Sequence, residues 1–270
     1  MKQLLKKDRM VLSTKDYVAS NKHFNLFLDV KTNIVWTSLA EDHNYNKYYE
    51  NENYHPHNKK KGIMSLFYKL SQNIMFNYKL KVLQKTLRPS SIILDYGSGD
   101  GNFAEFLKKK KISVLAYDPI TNKHITSQVT DNQYDMIMMW HVLEHIPDIY
   151  EAIVTLEKKL KHNGALVVAV PNRDCFDSRA YGKHWAAWDV PRHLYHFNHN
   201  SLQNLMKENG FSLISRHPLW LDSYYISYLS AKYKKSIFPW INAIVIGSIS
   251  NILALFTSKY SSSFYIFRKI

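Results

Sequence analysis

The chain has 270 residues and one cysteine, Cys175, which rules out an internal disulfide and a cysteine-based zinc cluster and suits a reducing cytoplasm. Its hydrophobic content of 46% is ample for a core, and the start MKQLLKKDRMVL lacks the apolar stretch of a signal peptide. The formal net charge of +14 favours anionic partners, but the lysines are scattered or in short clusters with no nucleic-acid recognition module beside them.

Residues 16–38 hold two β-like pieces, FNLFLDV and NIVWTS, separated by a Lys-Thr-Asn turn. The Tyr- and Asn-rich run HNYNKYYENENYHPH at 43–57 reads as an exposed loop or short helix. Its His55 and His57 lack the further ligands a metal needs. Across 64–87, Leu66, Phe67, Leu70, Ile74, Tyr78 and Leu83 fall at helical spacing.

The stretch 91–119, SIILDYGSGDGNFAEFLKKKKISVLAYDP, reads as strand, glycine-rich turn, helix, strand and terminal acid. Gly97, Gly99 and Gly101 remove side chains where the backbone turns sharply towards a ligand. Residues 102–111 form the helix, with its positive end towards that ligand. Residues 114–116 form the second strand, and Asp118 at its tip can accept hydrogen bonds from a ribose diol. The glycines run G-S-G-D-G rather than G-x-G-x-x-G, and Asp95 stands two positions before the first of them. A carboxylate there repels a pyrophosphate and attracts an ammonium. S-adenosyl-L-methionine carries an ammonium at one end and a ribose diol at the other, matching Asp95 and Asp118.

Further on, the spacing predicts a helix over 149–161 closed by a His-Asn-Gly turn at 162–164, and a buried strand at 166–170. It also predicts a helix over 201–209 capped by Ser201 or Asn200 and closed by Gly210, and strands at 211–215 and 263–269. No charge occurs from 236 to 258, where lysines flank an apolar run interrupted by Pro239, Asn242 and Gly247. This reads first as a buried lid helix over the substrate site, then as a monotopic helix dipping into a membrane, and last as a true span.

On these residues the chain resembles the class I S-adenosylmethionine-dependent methyltransferases. The segment YDMIMMWHVLEHIPD at 134–148 is similar to the family's fourth strand and following turn, and LKHNGALVVAVPN at 160–172 to its fifth strand. The segment HWAAWDVPRHLYHF at 184–197 is similar to one found in a bacterial branch of small-molecule methyltransferases. The resemblance covers 91–211. It implies an α/β, Rossmann-like doubly wound, mostly parallel sheet with an antiparallel last strand, a small N-terminal appendage at 1–62, and a main domain at 63–270 carrying a helical lid insertion at 222–258.

The resemblance also implies S-adenosyl-L-methionine as cofactor, held by Asp95, Tyr96, Gly97, Ser98, Gly99, Gly101, Asp118, Pro119, Trp140 and His141, with Glu144 and His145 shaping the pocket floor. Tyr48 and Tyr49 would cover it. Relatives carry a zinc ribbon near the N-terminus; its paired cysteines are missing here, so a degenerate, metal-free remnant is expected. Between Asp118 and Tyr134 the chain is short for the family's third strand, 124–129 supply only a stub, and the adenine contact stays unassigned.

His141, Glu144 and His145 match the zinc-protease pattern H-x-x-E-H, but that pattern needs a helix and here follows an apolar strand. His193 is the first choice of general base, with Asp189 either orienting it or pairing with Arg192; Tyr181 and His184 are weaker candidates. The expected activity is methyl transfer to a small-molecule acceptor, a sugar or polysaccharide precursor or a lipid-like molecule, in the cytoplasm with possible peripheral membrane contact through 236–258. A non-catalytic cofactor-binding module and an RNA methyltransferase are the alternatives.

Overall fold

The computed structural model describes residues 9–39, 63–118 and 129–270. The expectations for Tyr48, Tyr49, His55, His57, Pro119 and 124–128 lie outside the described residues. Strands β1 (Arg9–Lys15), β2 (His23–Asp29) and β3 (Ile34–Thr37) form an antiparallel meander. Its Lys-Thr-Asn turn is held by Asp29, whose carboxylate accepts from the Lys31 amide at 3.0 Å and whose carbonyl accepts from the Asn33 amide at 2.8 Å. Sequence reading does not anticipate β1, which mixes charged and apolar residues.

The main body alternates helices and strands: α1 (Ile63–Leu83), β4 (Ile92–Tyr96), α2 (Asn102–Lys109), β5 (Ser113–Tyr117), β6 (Tyr134–Trp140), α3 (Ile149–Lys159) and β7 (Leu160–Pro171). There follow α4 (Phe176–Tyr181), β8 (Tyr195–His196), α5 (His199–Glu208), β9 (Phe211–Pro218), α6 (Asp222–Tyr233), α7 (Pro239–Thr257) and β10 (Ser262–Lys269). The large sheet has the order β5-β4-β6-β7-β10-β9. β4, β5, β6 and β7 pair in parallel, and β10 runs antiparallel to both β7 and β9. This is the Rossmann-like arrangement with an antiparallel last strand.

Alternation along the strands builds two cores. Ile93, Met136, Met138, Val167 and Phe264 pack with Leu83 of α1 and with Phe103 and Leu107 of α2. Leu94, Ile137, Met139, Val168 and Tyr265 pack on the other face with Ile153 of α3 and Leu202 of α5. The chain leaves β4 for β5 and returns to β6 on β4's other side. That reversal opens a crevice at the carboxyl ends of these strands, where open α/β sheets bind ligands.

The predicted boundaries of four helices move. Helix α3 stops at Lys159, and the residues His162, Asn163 and Gly164 lie within β7, as a bulge that shifts the β6–β7 register between Tyr134 and Met136. Helix α5 is capped by Asn198, whose side chain accepts from the Ser201 amide at 2.8 Å while Ser201 Oγ accepts from the Asn198 amide at 2.9 Å. Helices α1 and α2 each end before the predicted limit, at Leu83 and Lys109.

The meander is stitched to the main body through β8, which pairs with β3 and completes a four-stranded sheet. The expected burial of 236–258 is corrected. In α7 the small residues Ala243, Gly247, Ser250 and Ala254 face inward, while large apolar side chains such as Ile244, Leu255 and Phe256 stand exposed, Phe256 at 85%. A Cβ at Gly247 would stand 2.8 Å from Tyr224 Cδ1, so only glycine allows α7 to sit this close to α6.

Candidate active site

The glycine loop leaves β4 at Tyr96 with φ of +76° at Gly97, +52° at Gly99 and +70° at Gly101. At Gly97 a Cβ would also lie 2.4 Å from Val142 Cγ2, so conformation and space both demand glycine. The loop is pinned to β5: the Gly97 and Ser98 amides donate to the Tyr117 carbonyl, and the Gly99 amide donates to Asp118 Oδ2 at 3.1 Å. The Tyr96 ring packs at a tilt against Tyr117, and Ser98 Oγ is buried with no partner among the described residues.

Asp95 is buried at the end of β4, and its Oδ1 has no hydrogen-bond partner among the described residues. Burial pushes its carboxyl up to about 7 against the pull of the Lys79 ammonium. Lys79 comes from α1, and burial lowers it to about 8 although Asp222 and Asp95 oppose that. Its Nζ lies 3.8 Å from the centre of the Trp140 ring, which is fixed edge-on against Phe103 and Phe264.

At the tip of β6, His141 has φ of +56° and donates its amide to the Ala169 carbonyl. Its ring bridges two carboxylates, with Nδ1 3.2 Å from Glu144 Oε1 and Nε2 3.2 Å from Asp222 Oδ2. Burial pulls the imidazole down, but the two carboxylates outweigh it and hold His141 at about 9. Glu144, on the 3₁₀ turn Leu143–His145, is pushed up by burial and pulled further down by His141, so it stays a carboxylate. Burial and the neighbouring His193 lower His145 to about 4.

The 184–197 segment brings His193 to this turn: the rings of His145 and His193 meet edge to face at 4.6 Å. His193 Nδ1 lies 2.9 Å from the Ala187 carbonyl, and its Nε2 is 4.0 Å from Asp189 Oδ2, outside hydrogen-bond reach. Asp189 pairs instead with Arg192, accepting from Nη2 at 2.6 Å and from Nε at 3.1 Å. Arg192 also donates to the buried Asp16, between β1 and β2, at 3.1 Å. Of the two options read from sequence, Asp189 takes the pairing with Arg192, and the Ala187 carbonyl orients His193. Tyr181 and His184 lie away from this cluster: Tyr181 packs with Trp185 and Trp188, and His184 Nδ1 bonds the Tyr17 hydroxyl.

The structure thus brings Asp95, the glycine loop, Asp118, Trp140 and His141 to one sheet edge, with Glu144, His145 and His193 beside them. Sequence reading misses Lys79 and Asp222, which reach the site from α1 and α6 and carry no local signal. The donor set fits S-adenosylmethionine: an orphaned carboxylate oxygen at Asp95 for an ammonium, a side-chain-free turn for close approach, and Asp118 at the second strand tip.

A family model described as a methyltransferase domain matches residues 66–216. No curated protein matches the chain. Among solved structures, a SAM-dependent methyltransferase from Archaeoglobus fulgidus is 16% identical, with a TM-score of 0.48 over 77% of this chain and 100% of that one. A Methanosarcina mazei SAM-dependent methyltransferase is 15% identical, with a TM-score of 0.48 over 70% of this chain and 97% of that one. Haemonchus contortus phosphoethanolamine N-methyltransferase 2, in complex with S-adenosyl-L-methionine, is 12% identical, with a TM-score of 0.49 over 96% of this chain and 71% of that one.

Proposed function

This chain belongs to the class I S-adenosylmethionine-dependent methyltransferases, and from that premise we propose that it methylates a small lipid-like acceptor at the cytoplasmic face of a membrane. When bound, the cofactor supplies a methyl group already activated on a sulfonium, so the protein's own tasks are alignment, exclusion of water and acceptance of a proton.

The observation that carries the cofactor reading is the orphaned, buried Asp95 carboxylate beside the pinned glycine loop. Asp95 would hold the ammonium and Asp118 the ribose diol. Gly97, Ser98, Gly99 and Gly101 give the backbone its close approach, while Tyr96, Trp140 and His141 flank the two ends. The acceptor lies on the side of His141 where Glu144 and His193 converge. His193 Nε2 receives its proton, the ring being held by the Ala187 carbonyl. Arg192, braced by Asp189 and Asp16, keeps that loop in place.

The membrane reading is supported by α7. Its exposed face is apolar over 19 residues, and Lys232, Lys234 and Lys235 at one end and Lys259 at the other match anionic headgroups. Trp240, stacked on Tyr228 at 4.0 Å, suits the interface. Because α7 leads directly into β10 of the central sheet, the helix lies on a bilayer rather than crossing it. This face favours a lipid-like acceptor over a sugar or polysaccharide precursor. An RNA acceptor has only the net charge behind it.

Calorimetric titration with S-adenosylhomocysteine tests the cofactor site. The parent should bind and Asp118→Ala should bind at least tenfold more weakly; equal binding would remove Asp118 from the site. Sedimentation with phosphatidylglycerol vesicles tests the surface: the parent should pellet with them and not with phosphatidylcholine vesicles at the same concentration. A protein that stays in the supernatant with both would end the membrane reading.

A further inference from the structure

We propose that Glu144, His145 and His193 form a binding site for one divalent transition cation of the zinc, manganese or iron class. One potential ligand atom from each residue lies within 4.8 Å of the others. Ligands of a single tetrahedral ion at ~2.1 Å stand about 3.4 Å apart, so the cluster needs to contract by up to about 1.4 Å at its widest.

Three features of the cluster argue for an ion rather than a chance meeting of side chains. Both imidazoles use Nδ1 on backbone carbonyls, His145 on Arg192 O at 3.0 Å and His193 on Ala187 O at 2.9 Å. With Nδ1 as donor in each ring, the lone pair of each is on Nε2. This is the arrangement in which a second partner fixes the tautomer and aim of a metal-bound histidine. Glu144 is 1% exposed, and while its Oε1 engages His141 its Oε2 has no partner among the described residues. A buried carboxylate oxygen without a partner is costly, and a cation satisfies it. The set of two imidazoles and one carboxylate suits such ions and leaves coordination positions open.

The ligands come from two separate segments, the turn after β6 and the 184–197 loop. The sequence pattern H-x-x-E-H does not describe this site: its first histidine, His141, bridges Glu144 and Asp222, and His193 supplies the third ligand.

The role of the ion, unlike its site, rests on the methyl-transfer reading. An acceptor hydroxyl bound at an open position loses its proton to solvent more easily. Its oxygen electron pair then forms the new O–CH₃ bond as the S–CH₃ bond breaks, leaving a neutral thioether. In this reading His193 is a ligand, and the ion replaces it as the group that makes the acceptor nucleophilic.

The test uses the full chain, freed of metal by chelator and titrated with cobalt(II) by absorbance, with zinc(II) as competitor and S-adenosylhomocysteine titrated against the same samples. The parent should take up one cobalt(II) per chain at micromolar concentration and lose it to zinc(II). His193→Ala and Glu144→Gln should weaken uptake by roughly 100-fold, and His193→Ala, on the acceptor side, should still bind S-adenosylhomocysteine. His145→Asn, at a partly exposed position, repeats the test if the buried Glu144 variant does not fold. A parent that binds S-adenosylhomocysteine but no cobalt(II) overturns the proposal, as do variants that bind cobalt(II) like the parent. A parent that binds cobalt(II) but not S-adenosylhomocysteine keeps the ion site and sinks the methyl-transfer reading.

Discussion

The carboxyl edge of the large sheet and helix α7 invert each other. At the sheet edge, charged groups are inside: Asp95, Glu144 and Arg192 are each 2% exposed or less. On α7, small and weakly polar residues are inside and large apolar ones outside, with Ile244, Leu255 and Phe256 exposed. Both depart from the usual placement of residue types. The first is compensated by partners within the fold or by an unmet demand that a ligand can fill. The second has no compensation among the described residues, and it is the observation behind the membrane reading proposed above.

The largest effect is expected where buried charge is stripped of its partner. Arg192→Ala leaves Asp16 and Asp189 facing each other without a cation, and urea unfolding should show a loss of about 3–5 kcal/mol. A loss under about 1 kcal/mol would mean that solvent reaches this network and that the contrast with α7 is overdrawn.

Next comes Gly97→Ala. The added methyl meets Val142 at 2.4 Å in a left-handed backbone, which should cost about 2–3 kcal/mol and abolish S-adenosylhomocysteine binding. Adding Val142→Ala should restore part of the stability but little of the binding, separating the clash from the conformational strain.

The third is a pH dependence. Asp95 is held at about 7 by burial, so below that value a cationic ligand must displace a proton from it. Affinity for S-adenosylhomocysteine should therefore fall by up to about tenfold per pH unit below 7 and level off above it. Lys79 and Asp222 face the same group and set where the curve bends. Asp95→Asn should flatten the profile; an unchanged slope would place the titrating group elsewhere. The same raised carboxyl makes folding less favourable as pH climbs from the ordinary carboxylate range towards 7.

The smallest effect on stability belongs to α7. Ile244→Ser with Phe256→Ser should change the unfolding free energy by no more than about 0.5 kcal/mol while reducing vesicle sedimentation. A large destabilisation would show that this face packs inward after all.

The glycine-loop site is legible in the sequence because it depends on backbone: positive φ needs glycine, and the two acids fall at the ends of adjacent short strands. The parallel sheet is legible for the same local reason, as runs of apolar residues. Lys79 and Asp222 are not, because a charged residue on a helix says nothing about which element it faces. β8 is two residues long and is a strand only because β3 is there to pair with it. For α7, apolarity is plain but facing is not. The signal that could have revealed it is the stripe of Ala243, Gly247, Ser250 and Ala254, whose small side chains mark the packed side. Glu144, His145 and His193 come together only through tertiary structure, which spacing along the chain does not encode.

The bond between Asp16 and Arg192 closes a separation of 176 positions. At ~5–20 residues per second, a ribosome that has released the first strands needs roughly 10–35 s more to make their partner. During that interval the meander has an open edge at β3 and a buried acid with no cation. The N-terminal sheet is thus the first part of the fold to be synthesised and among the last to be completed. A nascent chain stalled before Arg192 should be cut by protease at residues 9–37, where the finished protein resists.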